Sequence, residues 1–159
     1  MPLLLTRIAG RALACVGLMC AAAAMAQAPE APAGDARQGT FKTVRGDVTV
    51  VRDNTRVAAI VGAGVRSTDR ILSGAESAAA VTLLDGTVLT IGPDSALDLS
   101  QYQFNPTTQE GSVLVNLMRG SLRMVTGLIA KLKPEQVKVT TPTSVIGVRG
   151  TDFLVEENP

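Results

Sequence analysis

From Phe41 to Val155 the chain repeats short apolar stretches, each bounded by Gly, Pro or Asp-Gly. Alternating apolar and polar positions predict half-buried strands. Lys42 to Arg52 alternates through Val44, Val48 and Val50, and Gly46-Asp47 interrupts it as a turn or bulge. Ala58 to Val65 is apolar and broken by Gly62 and Gly64, which predicts a short strand entering a tight corner. Asp69-Arg70-Ile71-Leu72 ends at Ser73-Gly74, and the small residues of Ala75 to Ala80 let backbones approach closely.

Val81 to Leu84 and Thr87 to Ile91 flank Asp85-Gly86. Two apolar runs around Asp-Gly predict a hairpin with a two-residue type I′ turn, since Asp and Gly tolerate a positive φ. That turn sets Leu83 opposite Val88 and Thr82 opposite Leu89, so neither face is cleanly polar and both are expected to be covered. Gly92-Pro93 stops the run, and Ser95, Leu97 and Leu99 open another strand. Ser112 to Met118 and Ser121 to Val125 alternate on either side of Arg119-Gly120, predicting a second hairpin. Gly127 and Pro134 limit the stretch between them to a helical turn, and Val137 and Val139 mark a further strand.

Strands recurring about every 8–12 residues indicate an all-β domain. A sandwich, a small barrel and a short solenoid all suit that spacing. The small-residue corners at Gly62, Gly64, Gly74 and Gly92 favour a rolled or solenoid-like packing. At 159 residues the chain suits one domain.

The N-terminus follows a different pattern. Arg7 and Arg11 precede an apolar run, Ala12 to Ala24, that is shorter than the roughly 20 residues a bilayer needs. Ala24-Met25-Ala26 has the small-x-small form of a signal-peptidase site, so residues 1–26 are expected to be a signal peptide cut between Ala26 and Gln27. Residues 27–40, rich in Ala, Pro and Gly, predict a flexible leader, and residues 41–159 the domain itself. Both cysteines, Cys15 and Cys20, fall inside the signal segment and lack the Leu-like residue of a lipoprotein site. The exported chain is therefore expected to have no disulfide, which suits a bacterial envelope.

Composition narrows the chemistry. Removing Arg7 and Arg11 from 15 Lys and Arg leaves 13 against 14 Asp and Glu, a net charge of −1. That balance carries no electrostatic footprint for nucleic acid or an anionic membrane. With no His and no mature Cys, Ser-His-Asp, His-metal and thiol schemes are excluded. No phosphate-binding glycine loop or metalloprotease motif is present, so no enzyme activity and no cofactor are expected. Asp94 and Asp98 are better read as turn and surface residues than as a calcium site or a glycosidase pair. Leu128 to Lys133 is read as a surface turn with snorkelling lysines.

An ordered set of motifs carries a family likeness. It runs from Gly46-Asp47-Val48 through Asp69-Arg70-Ile71, Ser73-Gly74, Leu84-Asp85-Gly86-Thr87, Gly92-Pro93 and Arg119-Gly120. It closes on Thr141-Pro142 and Gly147-Val148-Arg149-Gly150-Thr151-Asp152-Phe153. Over residues 46–155 the chain resembles the FecR-type periplasmic sensor domain. The resemblance implies an all-β periplasmic domain. In full-length anti-sigma regulators of the family it follows a sigma-binding helix bundle and one membrane helix, and relays the state of an outer-membrane receptor. Here neither precedes it, so sigma-factor control is not carried over, and recognition of an envelope protein partner is the remaining expectation. The sequence stops four residues after the Phe153-Leu154-Val155 run, which suggests either a short stand-alone domain or a piece with an open last edge.

The motif residues Asp85, Gly86, Gly92, Thr141, Pro142, Gly147, Arg149, Gly150 and Thr151 are expected to be structural. Arg149 fits either an anion clamp or a peg that donates to carbonyls and fastens the closing loop, and the peg is favoured. Gly147 and Gly150 are expected to supply positive φ or close backbone approach, and Thr151 to bond the loop it ends. The alternative to a sensing module is a structural or glycan-binding envelope domain, with Tyr102, Phe104 and Asn105 to Gln109 as its contact patch.

Overall fold

The computed structural model describes residues 37–158. The signal segment, its Ala26–Gln27 junction and most of the expected leader lie outside the described residues. Twelve strands follow one another: β1 (Arg37–Arg45), β2 (Val48–Arg52), β3 (Thr55–Ala58), β4 (Gly64–Arg66), β5 (Arg70–Ser73), β6 (Ala78–Leu83), β7 (Val88–Ile91), β8 (Ala96–Phe104), β9 (Gly111–Val125), β10 (Val137–Thr140), β11 (Val145–Gly147) and β12 (Asp152–Glu157). A short helix α1 (Leu128–Leu132) and a 3-10 turn (Pro134–Gln136) join β9 to β10. The fold is all-β, as the turn spacing implied.

The strands form one sheet in the order β3-β2-β5-β8-β9-β7-β6-β1-β4, curled into a half-barrel. Strand β9 is shared. Its first half pairs with β8 and, in parallel, with β10, and its second half pairs with β7 and β12. Two arms therefore diverge from one long strand, and their inner faces meet in a single core. Val50, Ile71, Leu97 and Leu117 come from one arm, and Phe41, Val81, Leu89 and Met124 from the other. All are aliphatic or sulfur-bearing except Phe41, as a chain with 3% aromatics requires.

Three expectations change here. Arg119-Gly120 does not turn a hairpin, because β9 runs through it. Gly120 sits at φ +89° and lets the strand bend against Ser95, into which any Cβ would collide. A strand that serves both arms must bend, and a bend with one αL residue keeps the ladder running where a turn would end it. The leader boundary also moves: β1 starts at Arg37, and Gly39 and Thr40 pair with both β4 and β6. Gly39, one of the residues that suggested flexibility, is a packing residue, since a Cβ on it would lie 2.8 Å from the Leu83 side chain.

The third change is the register at Asp85-Gly86. Gly86 N–H donates to Leu83 O at 3.1 Å and Leu83 N–H donates to Thr87 O at 2.8 Å. Only Gly86 has positive φ, so this is a three-residue loop with an αL glycine rather than a type I′ turn. The pairing moves to Thr82↔Val88 and Val81↔Leu89. A one-residue shift exchanges the faces. Val81, Leu83, Leu89 and Ile91 all point inward and the outer face is left half-exposed, with no need for a second cover.

Candidate functional site

The Asp85 loop is a buried polar node. Asp85 is 2% exposed. Its carboxylate accepts from the Tyr102 hydroxyl at 3.1 Å, the Thr87 hydroxyl at 2.7 Å and the Thr87 N–H at 3.2 Å. Its own N–H donates to the Tyr102 hydroxyl at 2.9 Å. Gly127 N–H donates to Thr87 Oγ1 at 3.0 Å, and Leu128 N–H to Asp85 O at 2.9 Å. Gly127 must be glycine here, because a Cβ would run into Asp85 O and Thr87 N. Burial, reinforced by the Asp85 charge, holds the Tyr102 hydroxyl well above its ordinary pKa. Tyr102 thus ties β8 to the β6–β7 loop, and that loop holds the start of α1 through Asp85 and Thr87. At 2% exposure it cannot contact a ligand, which removes the aromatic from the expected glycan patch. Phe104 packs partly against the core, while residues 105–110 remain exposed.

A second node serves the corner at Gly92. The Ser73 hydroxyl donates to Gly92 O at 2.6 Å and accepts from Ser95 N–H at 2.9 Å. The Ser95 hydroxyl accepts from Ser121 N–H at 2.9 Å. A Cβ on Gly92 would strike the Ser121 hydroxyl, so Gly92 is a close-approach glycine. These hydroxyls serve backbone groups, and none is set beside a base. Asp98 pairs with Arg70 through contacts of 2.6 and 2.8 Å, across the Arg70↔Asp98 register of β5 and β8. Asp94 adopts φ +50° in the turn after Pro93. Among the described residues no three His, Cys, Asp or Glu side chains are grouped to hold a metal.

The closing segment differs from expectation. Thr141 Oγ1 accepts from Ser144 N–H at 3.1 Å and from Thr143 N–H at 3.3 Å, so it shapes its own turn, with Pro142 exposed in it. Thr143 Oγ1 donates to Glu157 at 3.0 Å and binds that turn to β12. Val148 is buried and its N–H donates to Val137 O at 3.2 Å. Thr126 donates through its hydroxyl to Gly150 O at 2.9 Å and through its N–H to Thr151 O at 2.9 Å. Thr151 does bond the loop, but through its carbonyl. Arg149 is exposed and has no hydrogen bond or ion pair among the described residues. The peg is therefore Val148 with Thr126, and the arginine faces water. Gly147 and Gly150 have neither positive φ nor any atom within 4 Å of an added Cβ, so the local backbone does not demand glycine at either. Arg123 donates to Asp152 at 3.0 and 2.6 Å and holds that carboxyl below its usual pKa.

A feature the sequence reading missed lies at the two ends of the sheet path. Strands β3 and β4 are its end strands, and the loop between them folds back on β1, with Phe41 N–H donating to Ala63 O at 3.0 Å. Between them lies a cleft of about 310 Å³, lined mostly by apolar residues such as Phe41, Val50, Val57 and Ala63, with Arg52, Asp53 and Thr55 at its wall. One side of this seam is sealed by side chains. Arg52 grips the buried Asp69 with contacts of 2.7 and 2.6 Å and donates to Gly64 O at 3.2 Å, while Asp69 accepts from Arg66 N–H at 2.8 Å. Gly64 and Arg66 of β4 thus bond to an ion pair where another strand would lie. The other side is open. Strand β3 pairs only with β2 among the described residues, and all four of its residues are exposed. Val57, Ile60 and Val61 are 57%, 65% and 62% exposed. A mostly apolar cleft beside a strand with one open edge has the geometry that strand addition needs. The run Val57-Ala58-Ala59-Ile60-Val61 was the available signal, but apolarity alone reads as burial.

Comparison with known proteins adds a family. A family model described as FecR protein matches residues 69–159, more than half of the chain. No curated protein matches it. A solved structure described as a cell surface anchoring domain is 24% identical over 38% of this chain and 82% of its own, with a TM-score of 0.38. No helix among the described residues is long and apolar enough to cross a membrane.

Proposed function

This chain belongs to the FecR protein family, and from that membership we propose that it is an exported, non-enzymatic contact module of a Gram-negative cell envelope. It works in the periplasm or at the cell surface, where it recognises a protein partner in envelope signalling. The observation that carries the reading is the open seam. Strand β3, paired on one edge only and exposed at all four residues, stands beside a mostly apolar cleft, and its own Val57 and the following Ile60 and Val61 are in water. Exposed edges are normally blunted by charge, proline or cover. Here Arg52 and Asp69 blunt β4, whereas β3 keeps an open edge that carries the Arg56 charge and no covering element among the described residues. A partner strand laid along β3 gains main-chain hydrogen bonds, and its inward side chains enter the cleft. The hydroxyls and carboxylates of the core are committed to structural bonds, which supports contact rather than catalysis.

The test is photo-crosslinking in cells from a probe placed at Val57, compared with one at the exposed Val145 of β11. The expected result is a discrete envelope-protein adduct from position 57 only, and its loss in an Arg56→Pro background, which denies β3 a backbone donor. Equal adducts from both positions, or none from 57, would sink the reading. Cell fractionation tests export, with the protein expected outside the cytoplasm and cut after Ala26.

A further inference from the structure

The outer face of the arm formed by β3, β2, β5, β8 and β9 holds a second surface, separate from the seam. It is a shallow depression of about 420 Å³. Its floor is apolar: Val51 and Leu72 are half-buried, Ala96 is buried and Met118 is 42% exposed. Arg56, Arg70 and Arg119 border it. They are not equivalent. Arg70 is neutralised by Asp98 through two hydrogen bonds. Arg56 and Arg119 are exposed, and their side chains have no hydrogen bond or ion pair among the described residues. No carboxylate lines the depression, and Asp53 and Asp98 lie beyond its edge, around the neighbouring hollow.

We propose that this face docks an acidic amphipathic helix of a partner protein. Charge complementarity selects the class. Two uncompensated guanidinium groups stand at opposite ends of an apolar floor, and each is suited to a carboxylate in forked geometry. Arg56 on β3 and Arg119 on β9 are four strand steps apart, about 19 Å along the sheet at roughly 4.8 Å per step. A single small anion reaches one of them. A helix laid across the strands covers that span in about 13 residues, with acidic residues at its ends and an apolar stripe between them against Leu72 and Met118. An anionic bilayer is the weaker occupant, because it is flat, the face is hollow, and the chain beyond residue 26 carries a net charge of −1.

Fluorescence anisotropy tests this with two synthetic helical peptides of about 18 residues. One carries a leucine stripe with glutamates at both ends, and the other has lysines in place of those glutamates. Phosphatidylglycerol vesicles form a third arm. The expected result is binding of the glutamate peptide alone. Binding falls about tenfold with Arg56→Glu or Arg119→Glu, and falls with added salt. The variants are expected to melt with the parent, since both side chains are exposed. Should a reversal unfold the protein, Arg56→Gln and Arg119→Gln carry the same reading. Absent binding, equal affinity for the lysine peptide, indifference to the double reversal, or preference for the vesicles would each overturn the proposal. Arg56 belongs to both surfaces, on β3 and at the border of the depression, so Arg119→Glu, which lies away from the seam, separates them: it is expected to weaken the glutamate peptide and leave the adduct from position 57 unchanged.

Discussion

The loop at Asp85-Gly86 and the loop at Gly147–Gly150 look alike in sequence. Each carries one charged residue beside glycine and each bears the family motif. In the fold they are opposites. Asp85 is buried, its carboxylate takes three donors, and Gly127 is confined against it. Arg149 is in water, and the glycines around it have empty space where a side chain would go. The difference shows that residues alike in their local sequence can be structural in one loop and solvent-facing in another. A buried carboxylate without its donors is costly, so Asp85 is held by stability. An exposed guanidinium costs the fold little to change, so stability does not hold Arg149 in place.

Four substitutions sharpen or break this contrast. Asp85→Ala leaves the Tyr102 hydroxyl and the Thr87 donors short of an acceptor in a buried site, at an expected cost of about 3 kcal/mol by urea denaturation. A cost under about 1 kcal/mol would mean that the node is not what holds the loop. Gly127→Ala forces a methyl group against backbone atoms of the same loop, with an expected loss of about 2 kcal/mol. A neutral result there would show that the α1 junction relaxes freely.

Tyr102→Phe is expected to cost about 1 kcal/mol at neutral pH. It also has a signature in alkali. Folding raises the pKa of Tyr102, so folding favours the protonated hydroxyl. That stabilisation is complete below the unfolded tyrosine value near pH 10 and is lost as pH rises beyond it. The parent is therefore expected to lose stability above about pH 10 more steeply than Tyr102→Phe. Parallel profiles of urea midpoint against pH would contradict the buried placement. The smallest effect belongs to Arg149→Ala, expected to shift stability by less than about 0.5 kcal/mol. A melting temperature several degrees lower would restore the peg that the structure gives to Val148 and Thr126.

Much of the fold was legible because strand signals are local. Alternation at Val48 and Val50, at Leu97 and Leu99, and at Val137 and Val139 marked strands that exist. The helical turn between Gly127 and Pro134 was legible for the same reason. Where the reading failed, the deciding contact was distant. Arg119-Gly120 has turn residues, yet Ser95, from the turn that leads into β8, fills the bend and β9 continues. Leu84-Asp85-Gly86-Thr87 has the residues of a two-residue turn, yet Tyr102 and Gly127 hold a longer loop and so exchange the faces. Tyr102 looked like an isolated surface aromatic, because nothing nearby in the chain announces its partner seventeen residues away.

By itself the sequence determined the class of the fold, where most of its strands lie, and the aliphatic character of the core. These depend on side-chain period and backbone restriction, which act over a few residues. Tertiary structure alone decided which strands meet, that β9 serves two arms, that Asp85 is buried while Arg149 is not, and that β3 keeps an open edge beside its cleft. Each of these depends on what fills the space opposite a residue, and the occupant of that space comes from elsewhere in the chain.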